Sequence, residues 1–163
     1  MTIRSILLCF ILTFYAQASE LKVIADLFEG DEQKGISYFS GNVQISRDSD
    51  ELNASKLTIF TDEDRKPTKI IIDGNVKFTI KTEQKEQYSG KANQVTYLPT
   101  EKYYKFFGNV VLEQLGSKKK IIGETVVINL VTSQAKAEGK GNEPVIMIFE
   151  IEDEKTEKSK KRN

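Results

Sequence analysis

The side chains that most often carry out chemistry are scarce in this chain. Its 163 residues include no His and a single Cys, Cys9, so His-containing triads, imidazole general bases and His-ligated metal sites are excluded by count. The remaining carboxylates gather in two short segments, Asp48 with Asp50 and Asp62-Glu63-Asp64. Neither offers the spaced oxygen donors and Gly of a calcium loop. Both read as solvated turns, with a carboxylate pair acting on polysaccharide as the catalytic alternative. Lys118-Lys119-Lys120, with Lys102 and Lys105, suits either the phosphates of a lipid headgroup or a hairpin tip kept soluble by charge. Asn53-Ala54-Ser55 fits the glycosylation pattern, but it falls inside a repeat and reads as strand entry. The expectation is no catalytic residue, no metal and no cofactor. With 24 basic and 24 acidic residues, no long-range field favours nucleic acid either.

The elements that would position a binding surface begin after a leader. Residues 1–4 end in basic Arg4, an apolar run follows from Ile6 to Tyr15, and Ala16-Gln17-Ala18 has the form of a cleavage site. Together these read as a secretory signal peptide over residues 1–18. The run meets Gln17, Ser19 and Glu20 too early for a spanning helix, which needs roughly 20 apolar residues; an uncleaved anchor is the competing reading. Cys9 follows Leu8 inside the apolar run, which argues against a lipoprotein site. Cleavage removes the only Cys, so a mature chain in a disulfide-permitting compartment is held by burial and strand pairing alone.

A repeat then governs the organisation. Gly-Asn recurs at Gly41-Asn42, Gly74-Asn75, Gly108-Asn109 and Gly141-Asn142, at intervals of 33, 34 and 33 residues, and Val follows the first three. Upstream lie segments that turn from small to apolar: Ala54 to Ile59, Ala92 to Tyr97 and Gly123 to Ile128, with a partial first copy at Val23 to Phe28. Between Ile70 and Ile80 the even positions are Ile70, Ile72, Gly74, Val76, Phe78 and Ile80, against largely polar odd positions. That is the period of a half-buried strand. Phe39 to Ile45, Tyr104 to Leu112 and Val145 to Ile151 alternate in the same way. With turn signals roughly every ten residues, this predicts an all-β sandwich, barrel or solenoid of a dozen or more antiparallel strands. Glycines repeated inside strands mark bends or bulges, and four such corners at Gly41, Gly74, Gly108 and Gly141 would roll a long sheet. An ordinary turn at each Gly-Asn is the alternative. Residues 152–163 are charged, with nothing apolar to bury, and read as a disordered tail.

Taken together, the leader, the strand with Ala25-Asp26, the three Gly-Asn-Val copies and the Ala54-x-x-Leu57-x-Ile59 type of segment resemble the LptA/OstA-like family of periplasmic lipopolysaccharide transport proteins. The likeness spans roughly residues 21–151, with the domain set at 19–151. Glu143-Pro144 after the fourth Gly-Asn and the charged tail depart from the pattern. The resemblance implies an open antiparallel β-jellyroll that binds the lipid A part of lipopolysaccharide. It also implies copies stacked end to end between inner-membrane and outer-membrane components of the transport machinery, in the periplasm and without catalysis.

The physics of that task suits these residues. Each methylene exposed to water costs about 0.8 kcal/mol, so a chain of about fourteen carbons costs on the order of 10 kcal/mol. Only a continuous apolar lining offsets that. The residues expected to line the interior are Ile45, Leu57, Ile59, Ile72, Val76, Phe78, Ile80, Phe106, Val110 and Leu112. A closed core filled by the same side chains, as in a solenoid scaffold or adhesin, is the competing reading; an inner-membrane-anchored sibling is another. The unpaired edges of an open roll are templates for a further strand. Val23, Ala25 and Leu27 at one end and Val145, Met147 and Phe149 at the other are expected to pair head to tail, a contact that propagates instead of closing. Pro144 removes a backbone donor beside the late edge.

Overall fold

A computed structural model describes residues 20–151; the leader and the charged tail lie outside the described residues. Among the described residues ten strands form one antiparallel sheet: β1 (Leu21–Ile24), β2 (Leu27–Asp31), β3 (Ile36–Arg47), β4 (Asp50–Thr61), β5 (Pro67–Lys81), β6 (Gln87–Leu98), β7 (Tyr103–Gln114), β8 (Lys119–Asn129), β9 (Ala135–Glu138) and β10 (Ile146–Ile148). There are fewer than the expected dozen because β3 to β8 each run through a corner and reach 11 to 15 residues. Each strand from β3 to β8 pairs with the next, β1 and β2 both pair with β3, and β9 and β10 both pair with β8. The first and last strands are not joined, so the sheet stays open.

The corners explain why one sheet has two layers. Gly74-Asn75 in β5 stands against the single residue Asn93 of β6, since Asp73 pairs with Gln94 and Val76 with Ala92. Both bulge residues are left-handed, φ +85° and +52°. Gly adopts that conformation freely and Asn better than most. A Cβ on Gly74 would lie 2.8 Å from the Cβ of Ser55, whose hydroxyl donates to the Gly74 carbonyl at 3.2 Å. The same two-residue device recurs at Gly41-Asn42 and Gly108-Asn109. At the first corner, Asn42 Nδ2 donates to Asp26 Oδ2 at 2.8 Å.

The row of corners folds the sheet over along its length. In one layer β2 and the first half of β3 lead on to the second half of β8 and β9; in the other, β1 and the second half of β3 lead on to the first half of β8 and β10. Between them, among the described residues, lies one core of 21 buried hydrophobic residues. The architecture is an open β-jellyroll, as expected.

The fourth Gly-Asn is not a corner of this kind. At the matching place, Gly123-Glu124 of β8 stands against seven residues, 139–145, where the other corners set two residues against three. By register Gly139 opens that segment and Val145 closes it, taking the places of Gly and Val in the Gly-Asn-Val copies. The four extra residues form a hairpin closed by Glu143 N to the Lys140 carbonyl at 2.8 Å, with Gly141 at φ +55° in its turn. An ordinary turn is therefore the correct reading for this one copy. The spacing of 33 residues coincides with the repeat, but the hairpin displaces the motif from the seam.

Candidate functional site

All ten residues expected to line the interior face inward, on both layers, and all are buried. They are joined by residues that the sequence reading left out: Leu52, Tyr88, Ala92, Val95, Tyr97, Val126 and Ile128. These lie on β4, β6 and β8, where inward positions change parity at the corner. On β4 the inward residues run from even-numbered Leu52 to odd-numbered Leu57 and Ile59; on β6 they run from Tyr88 and Ala92 to Val95 and Tyr97. Strands β3, β5 and β7 keep their parity through Gly-Asn. The signal for the missed residues was the Ala-polar pair at each even corner: Ala54-Ser55, Ala92-Asn93 and the related Gly123-Glu124.

The middle of the interior is packed. Val76, Phe106 and Val110 are at 0% exposure, and the Phe78 and Phe106 rings meet across the layers. Among the described residues, opposing side chains interdigitate at this point as in other sheet packings, so the expected groove is closed there. The interior opens instead at the C-terminal rim. A cavity of about 400 Å³ there is bordered by Tyr88, Leu112, Ile121, Ala137, Val145 and Met147, within the size range of small-molecule sites. Tyr88 donates to Glu86 at 2.6 Å beside it, and burial followed by that carboxylate raises its pKa.

Opposite the corners, the free ends of the two layers meet through polar groups. Asp50 is 4% exposed and accepts from Arg47 at 2.8 Å, the Lys81 N–H at 2.9 Å and the Tyr104 hydroxyl at 2.9 Å. Arg47 also lies 4.3 Å from the Tyr97 ring centroid. Burial works against the Arg47 charge, yet the Tyr104, Tyr97 and Asp50 oxygens outweigh it and raise its pKa. Burial first, then Asp50, pushes the Tyr104 phenol well above 10.0. Further along, Lys102 pairs with Glu83 at 2.8 Å, Ser133 Oγ donates to Thr82 Oγ1 at 2.7 Å, and Glu83 N donates to the Leu130 carbonyl at 2.9 Å.

The edges are apolar. On the N-terminal rim Val23 pairs with Ile45 and packs on the core, Ala25 lies at the corner, and Leu27 and Phe28 are exposed. On the C-terminal rim Val145, Ile146, Met147, Ile148 and Phe149 are all exposed. The early edge is split into β1 and β2, and the late edge includes β9, which the sequence reading did not separate. Three of the five lysines of the basic group form ion pairs: Lys118 with Glu150, Lys120 with Glu113 and Lys102 with Glu83. Among the described residues no cluster of three or more His, Cys, Asp or Glu is placed to hold a metal.

An open two-layer β-roll with an apolar interior and free apolar edges is the form of a lipid-handling jellyroll. Residues 22–134 match the family described as LptA/(LptD N-terminal domain) LPS transport protein, and the chain belongs to that family. It is 26% identical over 132 residues to the lipopolysaccharide export system protein LptA of Haemophilus influenzae, covering 79% of this chain and 76% of that one. Its fold is similar to that of LptH from Pseudomonas aeruginosa, described as the LptA-homologous periplasmic component of the lipopolysaccharide transport device. The TM-score is 0.72 at 17% identity, over 81% of this chain and 96% of that one.

Proposed function

We propose that this lipopolysaccharide transport protein works in the periplasm as a non-enzymatic carrier, sheltering lipid A acyl chains between its layers. The observation that carries this reading is the mouth at the C-terminal rim, walled mainly by apolar side chains with Glu86, Gln114, Lys119 and Ser133 at its border, and continuous with the core through Tyr88 and Leu112. Aliphatic and aromatic walls replace water around the acyl chain at about 0.8 kcal/mol per methylene. Cleavage of residues 1–18 releases the chain into the periplasm. Copies stack head to tail through the free edges: β9 and β10 run from one layer to the other, and β1 and β2 run back, so the rims can meet antiparallel. The same edges serve inner- and outer-membrane partners of the machinery.

The test is photo-crosslinking in cells from three positions. Met147 and Ile121 border the mouth; Ile146, one residue from Met147, points to the other face of the same strand. Crosslinks to lipopolysaccharide from 121 and 147 but not 146 are expected. Equal labelling from all three, or none from any, overturns the reading.

A further inference from the structure

The packed middle poses a physical problem for any carrier of this shape. With Val76, Phe106 and Val110 at 0% exposure, an acyl chain cannot lie between the layers until they separate. The two seams differ in how they resist separation. Along one, six strands pass from layer to layer as continuous backbone, through corners that include three pairs of left-handed residues. Along the other, the described connections are polar contacts and turn hydrogen bonds: Tyr104 to Asp50, Arg47 over Tyr97, Lys102 to Glu83, Ser133 to Thr82, Glu83 to Leu130 and Gln84 to Val131. Covalent continuity on one side and polar contacts on the other define a hinge and its catch.

We propose that the Asp50–Arg47–Tyr104 cluster and the Thr82–Ser133 contact form a latch that must release for the layers to swing apart about the Gly-Asn corners and admit an acyl chain. This rests on the function proposed above and adds the moving part. Apolar lipid replaces apolar side-chain contacts when the roll opens, so the polar seam is what distinguishes the closed form. A ligand that enters only the open form shifts the balance toward it. A recess of about 390 Å³, bordered by Arg47, Asp50, Thr82, Glu83, Tyr97 and Lys102, lies over this seam. An opening there would leave the saccharide in water while the chains enter.

The test locks the latch. The Thr82 and Ser133 oxygens are 2.7 Å apart, so sulfurs placed there approach the disulfide length of about 2.05 Å. In a Cys9→Ser background, Thr82→Cys with Ser133→Cys is compared oxidised and reduced, using the apolar dye N-phenyl-1-naphthylamine and purified lipopolysaccharide as separate probes. The rim cavity can hold the small dye without any opening, so lipopolysaccharide is the deciding probe: loss of its binding on oxidation, with recovery on reduction, is expected, and the reduced form controls for folding. Undiminished lipopolysaccharide binding in the oxidised state overturns the latch. Redox-gated dye binding without lipopolysaccharide binding in either state upholds the latch and overturns the carrier. Tyr104→Phe, which frees one side of Asp50, is expected to speed lipopolysaccharide uptake; an unchanged rate counts against the cluster as part of the catch.

Discussion

The Phe78 and Phe106 ring centroids lie 4.3 Å apart, although their strands, β5 and β7, are separated by β6. One residue follows its corner and the other precedes its own, so the contact spans the two layers. Phe106→Ala should cost about 3–5 kcal/mol, and the double-mutant coupling with Phe78 should be about 0.5–1.5 kcal/mol. Urea denaturation of the four variants of the cycle measures both. Zero coupling would mean that the layers do not meet there.

The corners make a graded prediction. Gly74→Ala places a Cβ 2.8 Å from Ser55 at φ +85°, adding a close approach to the left-handed penalty of roughly 1–2 kcal/mol. Gly141→Ala meets no atom within 4 Å at φ +55°, so only the backbone penalty applies. Thermal melts should place Gly74→Ala clearly below Gly141→Ala. The reverse order would make the fourth motif the true corner.

Alkaline stability should depend on Tyr104. The fold raises this phenol above 10.0, so its contribution is complete below about pH 10, where the unfolded chain also keeps its proton. The contribution is lost as pH rises through the folded value, because the unfolded state ionises first. The limiting slope is about 1.4 kcal/mol per pH unit. Tyr104→Phe should show a shallower decline in melting temperature above pH 10, with Tyr88 and Tyr103, whose phenols are also raised, contributing to what remains.

Self-association should run through the late edge. Met147 is 55% exposed and Ile148 51%, so Met147→Lys with Ile148→Lys should leave the core intact. Paired charges on an edge oppose strand addition. Sedimentation velocity at increasing concentration should show larger species for the parent chain and not for the double variant.

The strands that keep their parity were legible in the sequence. In β5, the alternation from Ile70 to Ile80 gave both the strand and its inward face, since Gly74-Asn75 inserts without exchanging the faces. In β4, β6 and β8 the corner shifts the inward set by one position, so a strict period of two follows at most half of each strand, and on β6 and β8 it recovered no inward residue. Leu57 and Ile59 were recovered while Leu52 was not. The fourth Gly-Asn misled for another reason: spacing alone cannot separate a bulge within a strand from a hairpin turn when both favour Gly and Asn. The carboxylate Asp50 looked like one more solvated turn residue. Its burial depends on Tyr104, 54 positions away, a distance at which local pattern carries no information.

The hairpin Lys140–Glu143 gives the molecule a sense of direction. One rim rounds its bend in two residues and the opposite rim in seven, so front and back cannot be exchanged. A row of these subunits joined front to back points one way along its whole length. A traveller moving down it meets the same doorway at every joint and would meet a different one on the return journey.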